Sequence, residues 1–301
     1  MPAESDLLVP GPWTHRDVWA NGTRFHVAEA GSGPLVLLLH GFPQNWWCWR
    51  AQLVGLADAG FRAVAPDLRG YGASDKPPDG YDGYTLTADI AGLVRALGER
   101  DAVIVGHDWG GAIAWSVAAL HPEVVRKLVV LGVAHPLRHR AALVRDPRGQ
   151  LRASWYMLAM QTPVLAERYL LADDAASVAE MLDEWSGPDW PPPDVVAHYR
   201  NALQVSGVAH SAVEYYRWLV RATVRPSGVR FYRKLRAPIA APTLHLHGAL
   251  DASVLTKTAL GSGRYVAGLY EWRVLDRVGH FLPEEAPDVV TGELVRWAKD
   301  D

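Results

Sequence analysis

Gly106-His107-Asp108-Trp109-Gly110-Gly111 is the stretch from which the rest of the chain is read. Asp101-Ala102-Val103-Ile104-Val105 precedes it, a short apolar β-branched run that predicts a buried strand. Ala112-Ile113-Ala114-Trp115-Ser116-Val117-Ala118-Ala119-Leu120 follows it and predicts a buried helix. A strand that turns sharply into a helix projects its turn residue at the top of the sheet. Glycines on both sides allow a strained backbone and a close approach of helix to strand. The residue presented at this bend is Asp108. The simplest role for an aspartate there is to cap the following helix, where negative charge is favourable. The flanking glycines and two further motifs, described below, point instead to chemistry.

The spacing G-x-D-x-G is that of a nucleophile elbow with a carboxylate in place of a hydroxyl. A hydroxyl attacks a carbonyl carbon. A carboxylate attacks best at an sp³ carbon bearing a leaving group, and forms an ester with it.

Composition sets the outer limits. The chain has 301 residues, 49% of them apolar, enough for a sizeable core in one large domain or two modest ones. A net charge of −3 without a basic run argues against nucleic acid or a membrane surface as partner. The single Cys48 cannot form an internal disulfide. The polar, acidic start Met1-Pro2-Ala3-Glu4-Ser5-Asp6 does not read as a signal peptide, and no apolar run is long enough to span a bilayer. A soluble cytoplasmic protein is the expectation.

Strand-like runs at 13–20 and 23–30 flank Asn21-Gly22, a strong hairpin signal. Further strands are predicted at 35–40, 61–67, 101–105, 124–133, 242–248 and 270–275, with helices at 47–59, 85–97, 112–120 and 287–298 between and after them. This alternation implies a mostly parallel sheet with helices on both faces. From about 138 to 235 the pattern is purely helical, broken by Gly187-Pro188-Asp189-Trp190-Pro191-Pro192-Pro193. The expected organisation is a core at 1–137, a helical cap at 138–235 and the rest of the core at 236–301.

Ligands in open parallel sheets sit beyond the carboxyl ends of the strands. Asp108 is at such an end. So is Asp251, in Gly248-Ala249-Leu250-Asp251, and so is His280, in Gly279-His280-Phe281. An ester on Asp108 needs water activated by a base titrating near working pH, a task for His280. Asp251 would orient that imidazole, or simply cap the helix expected near Val254. The oxyanion of hydrolysis needs donors, and the backbone N–H groups of Phe42 (in His40-Gly41-Phe42-Pro43) and Trp109 are suitably placed. No metal or organic cofactor is required.

These four motifs, in this order and spacing, resemble those of the epoxide hydrolases of the α/β-hydrolase fold. The resemblance covers nearly the whole chain and implies that fold, with a cap carrying tyrosines that donate to the epoxide oxygen. Tyr216, in Glu214-Tyr215-Tyr216-Arg217, matches one tyrosine. The other is expected two residues before a glutamine. In Ser154-Trp155-Tyr156-Met157-Leu158-Ala159-Met160-Gln161 that position is Ala159. Tyr156 shares a helix face with Ala159 and is a substitute; otherwise one tyrosine works alone. His40, His135, Trp155 and Tyr215 are expected to border an apolar cleft between cap and core, with a hinge role as the alternative for His135. The implied reaction opens a small apolar epoxide to a diol. Two other readings remain open: a haloalkane or haloacid dehalogenase using the same Asp, His and acid, and a ligand-binding protein without turnover. A homodimer is compatible with all three.

Overall fold

The computed structural model describes residues 2–299. Eight strands form one sheet: β1 (Thr14–Ala20), β2 (Thr23–Ala30), β3 (Leu35–Leu39), β4 (Arg62–Pro66), β5 (Ala102–His107), β6 (Val125–Leu131), β7 (Thr243–Gly248) and β8 (Tyr270–Leu275). Their order in space is β1-β2-β4-β3-β5-β6-β7-β8. Asn21-Gly22 closes the β1–β2 hairpin, β2 runs antiparallel to both neighbours, and every other pairing is parallel. Leu35-Val36-Leu37-Leu38-Leu39 is buried throughout, as is β5. Unbroken apolar runs of this kind belong to strands covered on both faces.

α1 (Arg50–Asp58), α2 (Gly83–Ala96) and α3 (Trp109–Leu120) pack on the sheet in the first half of the chain. The inserted cap comprises α4 (Pro136–Arg145), α5 (Gln150–Ala153), α6 (Tyr156–Ala159), α7 (Leu165–Trp185), α8 (Pro193–Gln204), α9 (Val208–Val224) and α10 (Pro226–Lys234). The core resumes at β7 and continues through α11 (Thr256–Ala259), α12 (Leu282–Glu285) and α13 (Pro287–Lys299).

The chain leaves β3 for β4 on one side and returns to β5 on the other, so β3 and β5 flank the point where connections diverge. A crevice opens at the carboxyl ends of two such strands. The loops leaving them carry His40-Gly41-Phe42-Pro43 and Asp108. Asp67, fully buried after β4, braces this region. Its carboxylate accepts from the Trp46 and Ala73 N–H groups and pairs with His26 Nδ1 at 2.8 Å. Burial works against its ionisation, but the His26 and His40 partners and the Ala73 N–H prevail and hold it at about 2.

Candidate active site

Asp108 has φ +47° and ψ −116°, a strained conformation for a residue with a side chain. It makes no side-chain cap to α3, so the helix-cap reading does not hold. The strain sits on Asp108 itself, and the neighbouring glycines serve close approach. A Cβ on Gly110 would lie 2.2 Å from the Leu39 carbonyl oxygen, and one on Gly41 would lie 2.4 Å from Asp108 Cβ. Only bare backbone lets the β3 loop reach the carboxylate, where Phe42 N–H donates to Asp108 Oδ2 at 3.0 Å. Trp109 opens α3, where backbone N–H groups have no acceptor within the helix.

His280 is fully buried with its Nε2 3.4 Å from Asp108 Oδ1. This is a charge contact; Nε2 makes no hydrogen bond among the described residues. Nδ1 is 2.8 Å from Asp251 Oδ2. The other Asp251 oxygen accepts from the Ser253 and Val254 N–H groups. Asp251 thus caps its own turn and orients the imidazole at once, with one oxygen for each. His107, absent from the sequence-based site, holds the histidine loop: its Nε2 lies 2.7 Å from the His280 carbonyl oxygen. Burial and the neighbouring His280 keep His107 neutral, at about 4. Burial also disfavours a charged His280, but the Asp251 and Asp108 carboxylates outweigh it and lift the imidazolium to about 10. Burial opposes ionisation of Asp108 too, yet contact with His280 leaves its carboxyl below the usual range.

Above the carboxylate lies a cavity of about 190 Å³ lined by Asp108, Trp109, Tyr156 and Tyr216 with apolar side chains from the cap. Pro136, His139, Arg140 and Leu143 of α4 line one side, and Tyr216, Leu219, Val220 and Thr223 of α9 another. Each set follows the i, i+3, i+4, i+7 spacing of a single helix face. The Tyr156 and Tyr216 rings meet edge to face with centroids 5.7 Å apart. Gln161 Nε2 donates to the carbonyls of both Met157 and Tyr216, tying the two tyrosine-bearing segments together. Arg217 locks α9 through Glu167 and Glu214.

The comparisons with known proteins agree. A family model described as the alpha/beta hydrolase fold matches residues 34–287. Epoxide hydrolase A of Mycobacterium tuberculosis is 32% identical, over 95% of this chain and 98% of that protein. Epoxide hydrolase 2 of Siraitia grosvenorii is 32% identical, over 95% and 98%. Among solved structures, an epoxide hydrolase from an endophytic Streptomyces superposes with a TM-score of 0.84 at 32% identity, covering 96% of each chain. The chain belongs to the epoxide hydrolases of the α/β-hydrolase fold.

In this hydrolase Tyr156, the substitute weighed for Ala159, lies beside Tyr216. Its hydroxyl lies 3.3 Å from Ser253 Oγ, and its ring lines the cavity. Ala159 is not among the residues that line it. The four residues expected at the cleft border are placed elsewhere. His40 has both ring nitrogens engaged, Nδ1 with the Gly41 carbonyl and Nε2 with the Leu68 N–H, and so shapes the oxyanion loop. His135 turns away to stack on Tyr265 at 3.9 Å while its neighbours Ala134 and Pro136 face the cavity. The Tyr215 hydroxyl donates to the Arg69 carbonyl, because adjacent helical residues point about 100° apart. Trp155 is 58% exposed on the cap surface. Conversely, His139, Arg140 and the apolar stripe of α9 line the cavity without having been singled out. Their helical spacing was the available signal. Among the described residues, no helix is long and apolar enough to cross a membrane.

The raised pKa of His280 has a consequence for stability. Its folded value of about 10 exceeds the ordinary 6.5. The stabilisation it provides is complete below the unfolded value and is lost as pH rises through the folded one. The melting temperature is expected to decline across that window, and His280→Gln is expected to flatten the decline. Parallel profiles for the two proteins would show that the carboxylates do not hold the charge.

Proposed function

We propose that the chain hydrolyses apolar epoxides to diols through a covalent ester on Asp108. The observation that carries this reading is one apolar cavity holding an ionised carboxylate beneath two tyrosines, with an imidazole in contact. Asp108 Oδ1 attacks a ring carbon and the ring C–O bond breaks. A tyrosine hydroxyl gives its proton to the departing oxygen. Burial raises the pKa of Tyr156 and Tyr216, so both are protonated before the substrate arrives. Two hydroxyl donors suit an oxygen leaving group that must gain a proton; a departing halide needs none.

Ester formation removes the negative charge of Asp108. One of the two carboxylates supporting the imidazolium is then gone, and the pKa of His280 falls. Its proton passes to the tyrosinate, and the neutral imidazole takes one from water attacking the ester carbonyl. The Oδ2 oxyanion is held by the Phe42 and Trp109 N–H groups. Collapse breaks the bond from the carbonyl carbon to Oδ1; the imidazolium protonates the departing alkoxide to give the diol, and the new carboxyl group of Asp108 returns a proton to the imidazole, which restores carboxylate and imidazolium.

One turnover of styrene oxide in heavy-oxygen water, with enzyme in excess, tests the route. The expected diol is unlabelled and the label appears in the peptide carrying Asp108. Label in the diol from the first turnover would mean direct attack by water and would overturn the ester. Halide release from alkyl halides without any epoxide turnover would favour dehalogenation.

A further inference from the structure

The loop that carries His280 is tied through its backbone at three successive residues. Gly279 N–H donates to Glu285 Oε2 at 2.7 Å, and Phe281 N–H donates to Glu285 Oε1 at 2.8 Å. Between them, His280 N–H donates to the Trp185 carbonyl at 2.7 Å. A further donor reaches the same carboxylate from the cap, where Gly187 N–H lies 2.7 Å from Oε2. Glu285 ends α12. It grips the base from both sides and joins it to the cap segment between α7 and α8.

This junction admits only bare backbone. A Cβ on Gly279 would lie 2.4 Å from the Trp185 carbonyl oxygen, and one on Gly187 would lie 2.3 Å from the Arg277 carbonyl oxygen. The Trp185 ring carries the contact on to the reacting groups, with its centroid 5.7 Å from that of His280 and 4.9 Å from that of Tyr156. Three N–H donors converging on one side chain require a carboxylate, which accepts at both oxygens and presents no donor. A glutamine would turn its amide N–H groups toward Phe281 N–H or toward the Gly187 and Gly279 pair. Burial raises the Glu285 carboxyl above its ordinary value, while the three N–H groups and His280 act against the rise. The adjacent Glu284 differs: its carboxylate pairs with Arg50 and accepts from Gln44 and Tyr199, and holds no part of the histidine loop.

We infer that Glu285 is a positioning residue for ester hydrolysis, its carboxylate fixing the His280 loop and making the place of the imidazole beside Asp108 depend on the seated cap. Asp251 orients the ring, whereas Glu285 sets the backbone from which the ring projects. The inference rests on the Asp108 ester reading for the step affected, though not for the contacts themselves.

Rapid-quench kinetics with styrene oxide separate the two half-reactions. Glu285→Gln is expected to leave the burst of Asp108 alkylation unchanged and to slow decay of the ester by about a hundredfold, the scale of a small misplacement of a reacting group. Then kcat and KM fall together. Gly187→Ala, which forces the cap off the loop from the other side, is expected to give the same split. Tyr199→Phe loosens the cap from Glu284 alone and is expected to change neither rate. Equal slowing of both steps in the Glu285 and Gly187 variants, an unchanged decay, or an equal effect in Tyr199→Phe would overturn the assignment. Substrate-free protein gives a reading that needs no ester. Glu285→Gln is expected to speed hydrogen exchange at the Gly187, Gly279 and Phe281 amides and to broaden the downfield resonance of the His280 Nδ1 proton. Unaltered exchange and an unaltered resonance would sink the positioning role whatever the enzyme hydrolyses; absence of an ester in the unaltered enzyme would sink the ester reading and leave these two measurements to decide.

Discussion

His280→Gln is expected to stop the cycle at the ester. Glutamine keeps a polar side chain between the two carboxylates but cannot take a proton from water. Alkylation of Asp108 needs only the carboxylate, its Phe42 N–H contact and the tyrosines, so the first half-reaction survives. Intact-mass analysis after incubation with an epoxide should show a gain equal to that epoxide, located on the peptide containing Asp108. Steady-state turnover should fall by roughly four orders of magnitude, the scale on which removing a member of a catalytic unit acts. Incubation with alkyl halides as well separates the rival reading: a gain equal to the alkyl fragment after halide loss, with no epoxide adduct, would assign the enzyme to dehalogenation. A variant that accumulated no adduct while retaining turnover would exclude His280 as the base for ester hydrolysis.

The second large effect concerns the cap tyrosines. Tyr156→Phe and Tyr216→Phe each remove one donor to the opening oxygen. Each is expected to slow ester formation by about a hundredfold or more, the range seen for single oxyanion donors. Because the two rings touch across the cavity, the double variant should not be the simple product of the singles. The loss should appear in the burst of Asp108 alkylation, with decay of the ester little changed, since ester hydrolysis belongs to His280. Normal alkylation in Tyr156→Phe beside a large loss in Tyr216→Phe would mean that one tyrosine works alone and that Tyr156 only packs against Trp185 and Ser253.

Tyr156 was legible in part: helix spacing from Ala159 marked it as the substitute, and packing decided that it lines the cavity. A motif counted backwards from Gln161 singled out Ala159, three residues from the side chain that faces the cavity. Gln161 itself was a sound anchor, since it bonds both tyrosine segments, but counting could not say which residue of a short α6 turns inward. The same limit applies to Tyr215 and Tyr216. Both are buried aromatics on α9, and only packing sends one to Arg69 and the other to the cavity.

By itself the sequence determined the local chemistry and the layer order. Runs such as Leu35–Leu39 and Ala102–His107 can only be buried strands, the glycines around Asp108 permit contact that no Cβ would allow, and the order of aspartate, acid and histidine along the chain is fixed by covalent connectivity. Only the tertiary structure decided direction and contact: that His40 and His135 turn away from the cavity, that Asp251 divides its two oxygens between a turn and an imidazole, and that Tyr156 lines the cavity while Trp155 does not. The reason is physical. Periodicity says which face of an element is apolar, but which buried face meets the core and which meets the substrate depends on how cap and sheet pack against each other, across residues far apart in the chain.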